Sequence, residues 1–301
     1  MSAIEKTFAG GEIIIKEGDS GNTFFQLLEG KAKVFKNYGQ DDQVEIATLD
    51  QGQYFGEMAV IETYPRSTTV IADGDAKVLE IAAEELGDYF TQNPDKIIEI
   101  MRLLATRIKT MADDYKEVKK MLDSIHKSDS SSAYDGFFKM MQKQSIFVTP
   151  KSMRLEKPSI EELLKAGQLV AQQSGSAEEF PYGTVMYKEG EVGNCMYIVH
   201  EGEVNVYKNY GAADEIKLDS VKPIACFGEL GLLSGEPREA TAAVEVSGTK
   251  IEAIRPEDLE SIFKTSPEKI EMILKNLSYR LRVITYDYFK ACKEILEASQ
   301  N

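Results

Sequence analysis

The sequence predicts a mainly β chain with helices: two jelly-roll barrels, each followed by a long C-terminal helix, the helices pairing as a coiled coil. Three observations predict it. The 301-residue chain repeats itself at a spacing of 172 residues, so that Lys16 falls on Lys188. Each half opens with short apolar runs separated by glycine turns. Each half then closes on a long stretch whose apolar residues recur in a strict four-three pattern.

The repeat is searched for first, because a missed duplication misassigns a fold. Without a gap from Phe8 to about residue 73, Lys16-Glu17-Gly18 matches Lys188-Glu189-Gly190 and Glu29-Gly30 matches Glu201-Gly202. Lys36-Asn37-Tyr38-Gly39 matches Lys208-Asn209-Tyr210-Gly211, and Phe55-Gly56-Glu57 matches Phe227-Gly228-Glu229. Pro65-Arg66 matches Pro237-Arg238. After one inserted residue Lys77 matches Lys250, Pro94 matches Pro267 and Arg107 matches Arg280. The domains read as 1–122 and 180–301, joined by a segment at 123–179.

In the first half, residues 13–15, 24–28, 32–35, 44–49, 68–72 and 77–81 are β-branched or aromatic-rich, with glycine-containing turns between them. Short strands at such regular spacing read as an all-β sandwich or jelly roll. From about Asp95 to Leu122 the period becomes helical. Ile97, Met101, Leu104, Ile108, Met111, Tyr115, Val118 and Leu122 form one seam; Ile270, Leu274, Leu277, Leu281, Ile284, Tyr288, Ala291 and Ile295 form its copy. A sustained seven-residue repeat is a coiled-coil seam. The expected arrangement is an internal pseudo-dimer, with a homodimer as the alternative. In the joining segment, residues 128–132 are polar linker, Ser159 and Glu162 form a capping box opening a helix through Val170, and Phe137, Phe138, Met140 and Met141 form a packing cluster.

A formal net charge of −15 opposes a nucleic-acid surface, which neutralises phosphates with clustered cations. No apolar run approaches the ~20 residues of a membrane helix, and no signal peptide is read at the start. Three widely spaced cysteines read as reduced thiols of a cytoplasmic protein. With only two histidines in the chain and no His pair in either half, a cupin-type metal enzyme lacks its ligands, and no metal is expected.

The chemistry concentrates between two strands. Gly56 lets backbone approach a ligand closely, and the following residues can open a short helix whose free N–H groups favour an anion. Arg66 supplies a planar fork for phosphate oxygens, and Glu57 an acceptor for a ribose hydroxyl. This is a nucleotide-binding set, with nothing in it to attack a bond.

The stretches FGEMAVIETYPRSTTV and FGELGLLSGEPREATAAV resemble the phosphate-binding cassette of the cyclic-nucleotide-binding family, which includes catabolite-activator-type transcription factors and regulatory subunits of cyclic-nucleotide-dependent kinases. The likeness extends to the turns and the terminal helices. It implies that Glu57 and Glu229 bind the ribose hydroxyl and that Arg66 and Arg238 bind the cyclic phosphate. Met58 and Leu230 lie in the same cassettes. Backbone at Gly56, Ala59 and Ser67 would complete the first site, and that at Gly228 and Gly231 the second. Glu239 departs from the pattern: where the family has a small or hydroxylated residue, a carboxylate must face the phosphate or swing away, so the second site is expected to bind more weakly.

The expected function is a non-enzymatic, cytoplasmic sensor that binds cAMP, or cGMP, and signals to a protein effector. No nucleic acid or membrane partner is expected. The alternatives are a degenerate tandem scaffold, its Arg and Glu merely paired, and a transcription regulator without its own DNA-binding domain. Six residues after Ile295 are too few for a recognition helix, and seven before Phe8 leave no room for a kinase-inhibiting segment.

Overall fold

Alternating burial along short β-branched runs builds the same pair of sheets twice. The structure, a computed structural model, describes residues 3–41, 43–57, 66, 68–82, 85, 89–90, 92–126, 134–138, 140, 167, 170, 177–223 and 225–299. The first half carries β1 (Ile4–Phe8), β2 (Ile13–Ile15), β3 (Thr23–Glu29), β4 (Ala32–Lys36), β5 (Val44–Leu49), β6 (Tyr54–Phe55), β7 (Thr69–Ala72) and β8 (Ala76–Ala82), then the helix α1 (Asp95–His126). The second carries β9 (Glu178–Phe180), β10 (Val185–Tyr187), β11 (Met196–Glu201), β12 (Val204–Lys208), β13 (Ile216–Val221) and β14 (Ala225–Phe227). A short helix α2 (Glu229–Ser234) follows, then β15 (Thr241–Val244), β16 (Thr249–Ile254), α3 (Leu259–Thr265) and α4 (Pro267–Ala298).

The sheet orders are β1-β8-β3-β6 and β2-β7-β4-β5 in the first half, and β9-β16-β11-β14 and β10-β15-β12-β13 in the second. All pairings are antiparallel, and each order in one half is the image of an order in the other. This corrects the expectation of barrels: among the described residues each half carries two four-stranded sheets, not one closed barrel. The inner faces are filled by Phe25, Leu27, Val34 and Val78 in the first half, and by Tyr197, Val199, Val204 and Ile251 in the second. Two strands escape the sequence pattern for physical reasons. β1 is an edge strand with four exposed residues, so it carries no apolar alternation, and β6 has only two residues.

The chain divides into two compact units. One comprises Met1–Gln92, Met111–Pro158 and Arg282–Asn301; the other comprises Asn93–Thr110 and Ser159–Leu281. Both helices are longer than their patterns, at 32 residues each. Their C-terminal halves share one cluster in the first unit, where Val118 meets Tyr288, Ala291, Cys292 and Ile295. Phe137 and Met140 of the joining segment enter that cluster, which gives the aromatic-methionine motif its packing role. Most of the capping-box helix lies outside the described residues, although Val170 is helical and buried.

At the other end of α4, Lys269 Nζ donates to both oxygens of Glu252 on β16, at 2.7 and 2.8 Å. His200 Nε2 lies 2.8 Å from the same carboxylate. Two or more partners are what allow such charges to be buried.

Phe137 is wholly buried, so Phe137→Ala should cost about 3–5 kcal/mol of stability in the first unit. Hydrogen exchange should then quicken in the last turns of α4, which the cluster holds. Unchanged protection there would show that Phe137 does not support the helix.

Candidate ligand-binding site

Each half holds a buried arginine against a glycine turn. In the second half, Gly228 takes a left-handed backbone at φ 75° and caps the six-residue helix α2. Glycine adopts that conformation without the steric penalty of a β-carbon. Ten residues on, the Arg238 guanidinium turns back: Nη1 donates to the Gly228 carbonyl and Nη2 to the Cys195 carbonyl. Its Cζ lies 4.3 Å from the centroid of the Tyr187 ring, a cation–π contact. The backbone at Arg238 closes the K-E-G turn, with its N–H on Glu191 (2.7 Å) and its carbonyl accepting from Gly190 (2.8 Å). A β-carbon on Gly193 would stand 2.7 Å from Arg238 Cζ, so only glycine leaves the guanidinium its place.

The first half repeats this geometry. Arg66 Nη1 donates to Gly56 O at 2.8 Å, and Nη2 to Thr23 O at 2.5 Å. Gly56 is left-handed at φ 77°. Burial pushes the Arg66 guanidinium below its ordinary pKa, and the neighbouring carboxylates, Glu57 first, act against that shift. Glu57 is buried in the turn after β6. Met58, Ala59 and Ser67 lie outside the described residues.

The second carboxylate is held by a residue that the motif does not contain. Arg280 on α4 donates from Nη1 to Glu229 Oε1, and Glu229 is 1% exposed. Glu229 Oε2 and Arg238 Nε are both buried without a hydrogen-bond partner among the described residues. One cassette therefore presents an open acceptor and an open donor. Gly231 packs against the Arg238 stem, and Leu230 lies beside it on α2. Glu239 follows Arg238 directly in the chain. Its side chain is 60% exposed, and its carboxylate lies 3.9 Å from Lys109 Nζ.

Sequence reasoning missed Arg280 and Tyr187. The first had a signal, since Arg107 and Arg280 coincide in the repeat. The second had none, because Ile15 stands in its place. No group of metal-ligating residues occurs among the described residues, and no helix among them is long and apolar enough to cross a membrane.

The sequence profile of the cyclic nucleotide-binding domain matches residues 5–93 and 177–266. The chain is 25% identical over 237 residues to a cAMP-dependent protein kinase regulatory subunit of Blastocladiella emersonii, covering 79% of this chain and 47% of that one. It is 36% identical over 118 residues to cGMP-dependent protein kinase 2 of Mus musculus, covering 38% of this chain and 15% of that one. The chain thus spans about half the length or less of these curated relatives. Among solved structures, the regulatory domain of Toxoplasma gondii PKA with cAMP aligns over 89% of this chain and 82% of its own, at 18% identity and a TM-score of 0.27.

Burial, with the Glu229 charge adding to it, raises the Tyr187 phenol from 10.0 to about 12, against the opposing charges of Arg238 and Arg280. A folded-state pKa above the unfolded one favours the neutral phenol on folding. The stability this contributes is intact below pH 10 and is lost as pH climbs toward 12. Relative to Tyr187→Phe, the native protein's unfolding free energy from urea titration should therefore fall across that range, by up to about 2.7 kcal/mol. Parallel curves would show that the phenol is solvated.

Proposed function

The chain belongs to the cyclic nucleotide-binding domain family, and from that premise we propose that it is a cytoplasmic sensor with two cyclic-mononucleotide sites, cAMP ahead of cGMP, that signals to a protein partner. One observation carries this reading. A single cassette buries both an open acceptor, Glu229 Oε2, and an open donor, Arg238 Nε. A ribose hydroxyl donates where the first accepts, and a phosphate oxygen accepts where the second donates. An unmatched buried polar atom costs about 1–3 kcal/mol, so a ligand that satisfies both atoms gains what the empty site forgoes.

The first site has the same frame, in Gly56, Glu57 and Arg66. The relatives named above support the ligand class, being a cAMP-dependent regulatory subunit and a cGMP-dependent kinase. A signalling role is supported by Arg280: it lies on α4 and grips the carboxylate assigned to the ribose, so occupancy of the site bears on the helix. The three cysteines are free and buried, which suits a reducing compartment.

We further infer that α1 and α4 pair within one chain as a pseudo-dimer. The shared cluster of Val118 with Tyr288 and Ile295 supports it, as does the burial of both heptad seams at Leu104 and Leu277.

Arg66→Ala should weaken cAMP binding at the first site by about 2–4 kcal/mol, because a charged, hydrogen-bonded partner is lost. Calorimetry showing unchanged affinity would remove the assignment. For the helices, cysteines replacing Leu104 and Leu277 should crosslink within a monomeric chain on oxidation. Crosslinks found only between chains, at every dilution, would favour the homodimer.

A further inference from the structure

We propose that Lys109, on the long helix of the first repeat, is a positioning residue for the second nucleotide site, neutralising the two carboxylates that flank Arg238. The proposal rests on the cyclic-nucleotide reading of that site and assigns a role to the one residue that departs from the cassette pattern.

The sequence around the second arginine is Glu236-Pro237-Arg238-Glu239, where the first repeat has Tyr64-Pro65-Arg66-Ser67. Two carboxylates within two residues of a phosphate-binding guanidinium oppose an anionic ligand, since like charges at short range disfavour one another. The first cassette has no such burden in its sequence. The structure brings one cation to both acids. Lys109 Nζ forms an ion pair with Glu236 Oε2 and lies 3.9 Å from Glu239 Oε1. Lys109 is 25% exposed, against 56% and 60% for its partners, so it is the sheltered member of the group. The backbone is held as well, because Lys208 Nζ donates to the Glu239 carbonyl at 3.0 Å. The carboxylate that departs from the pattern thus lies within ion-pair range of this lysine.

Lys109 does not belong to the second repeat. It lies on α1, in the stretch Asn93–Thr110 that folds with the second half of the chain. The field around Arg238 therefore depends on a residue that the first repeat supplies. A movement of α1 that withdraws Lys109 takes this cation away from both carboxylates.

The test uses the full chain with the first site silenced by Arg66→Ala, titrated with cAMP and with cGMP by calorimetry. Adding Lys109→Glu should raise the second-site dissociation constant about five- to tenfold at low salt, as expected for reversing one charge in a partly exposed network. Near 0.5 M salt the difference should shrink to about twofold, because the Debye length is then only a few ångströms. Adding Glu236→Lys and Glu239→Lys should restore the affinity. In an Arg238→Ala chain, Lys109→Glu should leave first-site binding unchanged. Equal affinity with and without Lys109→Glu at low salt overturns the proposal, as does equal weakening of both sites. Absence of any nucleotide binding in the Arg66→Ala chain with Lys109 intact is a different failure. It refutes the ligand reading of the second site, and the proposal falls with it.

Discussion

Everything near the site depends on the burial of one guanidinium per repeat. An arginine side chain carries five N–H donors and cannot shed its charge, so taking it out of water requires acceptors fixed in advance. Here they are backbone carbonyls: Gly228 and Cys195 for Arg238, Gly56 and Thr23 for Arg66. The same arginine closes the K-E-G turn through its own peptide, at Gly190 and Glu191 in one repeat and at Gly18 and Asp19 in the other. The connection before β11 and the turn after β14 are thus both tied to one residue, as are their counterparts in the first half. The carbonyls take the terminal nitrogens, and in the second half Nε is left over. A single open donor is what remains once the terminal nitrogens are met.

That constraint explains why so much was legible in the sequence. The glycines at 21 and 193 recur because a β-carbon there would strike the guanidinium, and those at 56 and 228 because the turn is left-handed. The matching Lys-Glu-Gly and Lys-Asn-Tyr-Gly motifs turn out to be a single device. Glu17 accepts from the Lys36 ammonium and the Asn37 amide, and Glu189 does the same with Lys208 and Asn209. Asn37 and Asn209 both have φ 53°, a conformation in which asparagine is tolerated and most side chains are not. Two fragments about twenty residues apart recur together because each is half of one contact.

What could not be read is equally physical. The heptads at Ile97–Leu122 and Ile270–Ile295 announced buried seams, and most of those residues are buried. A period does not say what covers it, and the first seam is divided between the two units at residue 110. Arg280 sits beside its seam rather than on it, so the pattern of apolar residues passes over it. Its contact with Glu229 spans 51 positions and has no local signature. Jelly-roll barrels were expected, and alternation, which counts strands, carries no information about which edges meet.

The duplication also shows how a scaffold diverges without losing its frame. Lys96 and Lys269 are equivalent, at the same point on the two long helices. Lys96 stays with its own helix, pairing with Glu99 and Asp95 at a side-chain exposure of 24%. Lys269 is buried, because the second repeat has Glu252 where the first has Leu79, and His200 where the first has Leu28. Such a group is not assembled one residue at a time without cost. Removing one partner of a buried pair leaves a bare charge, worth about 3–5 kcal/mol. The leucines of the first repeat pack without any such obligation. The result is that α4 is fastened to its sheet by ions that must be kept together, whereas the equivalent lysine of α1 pairs within its own helix.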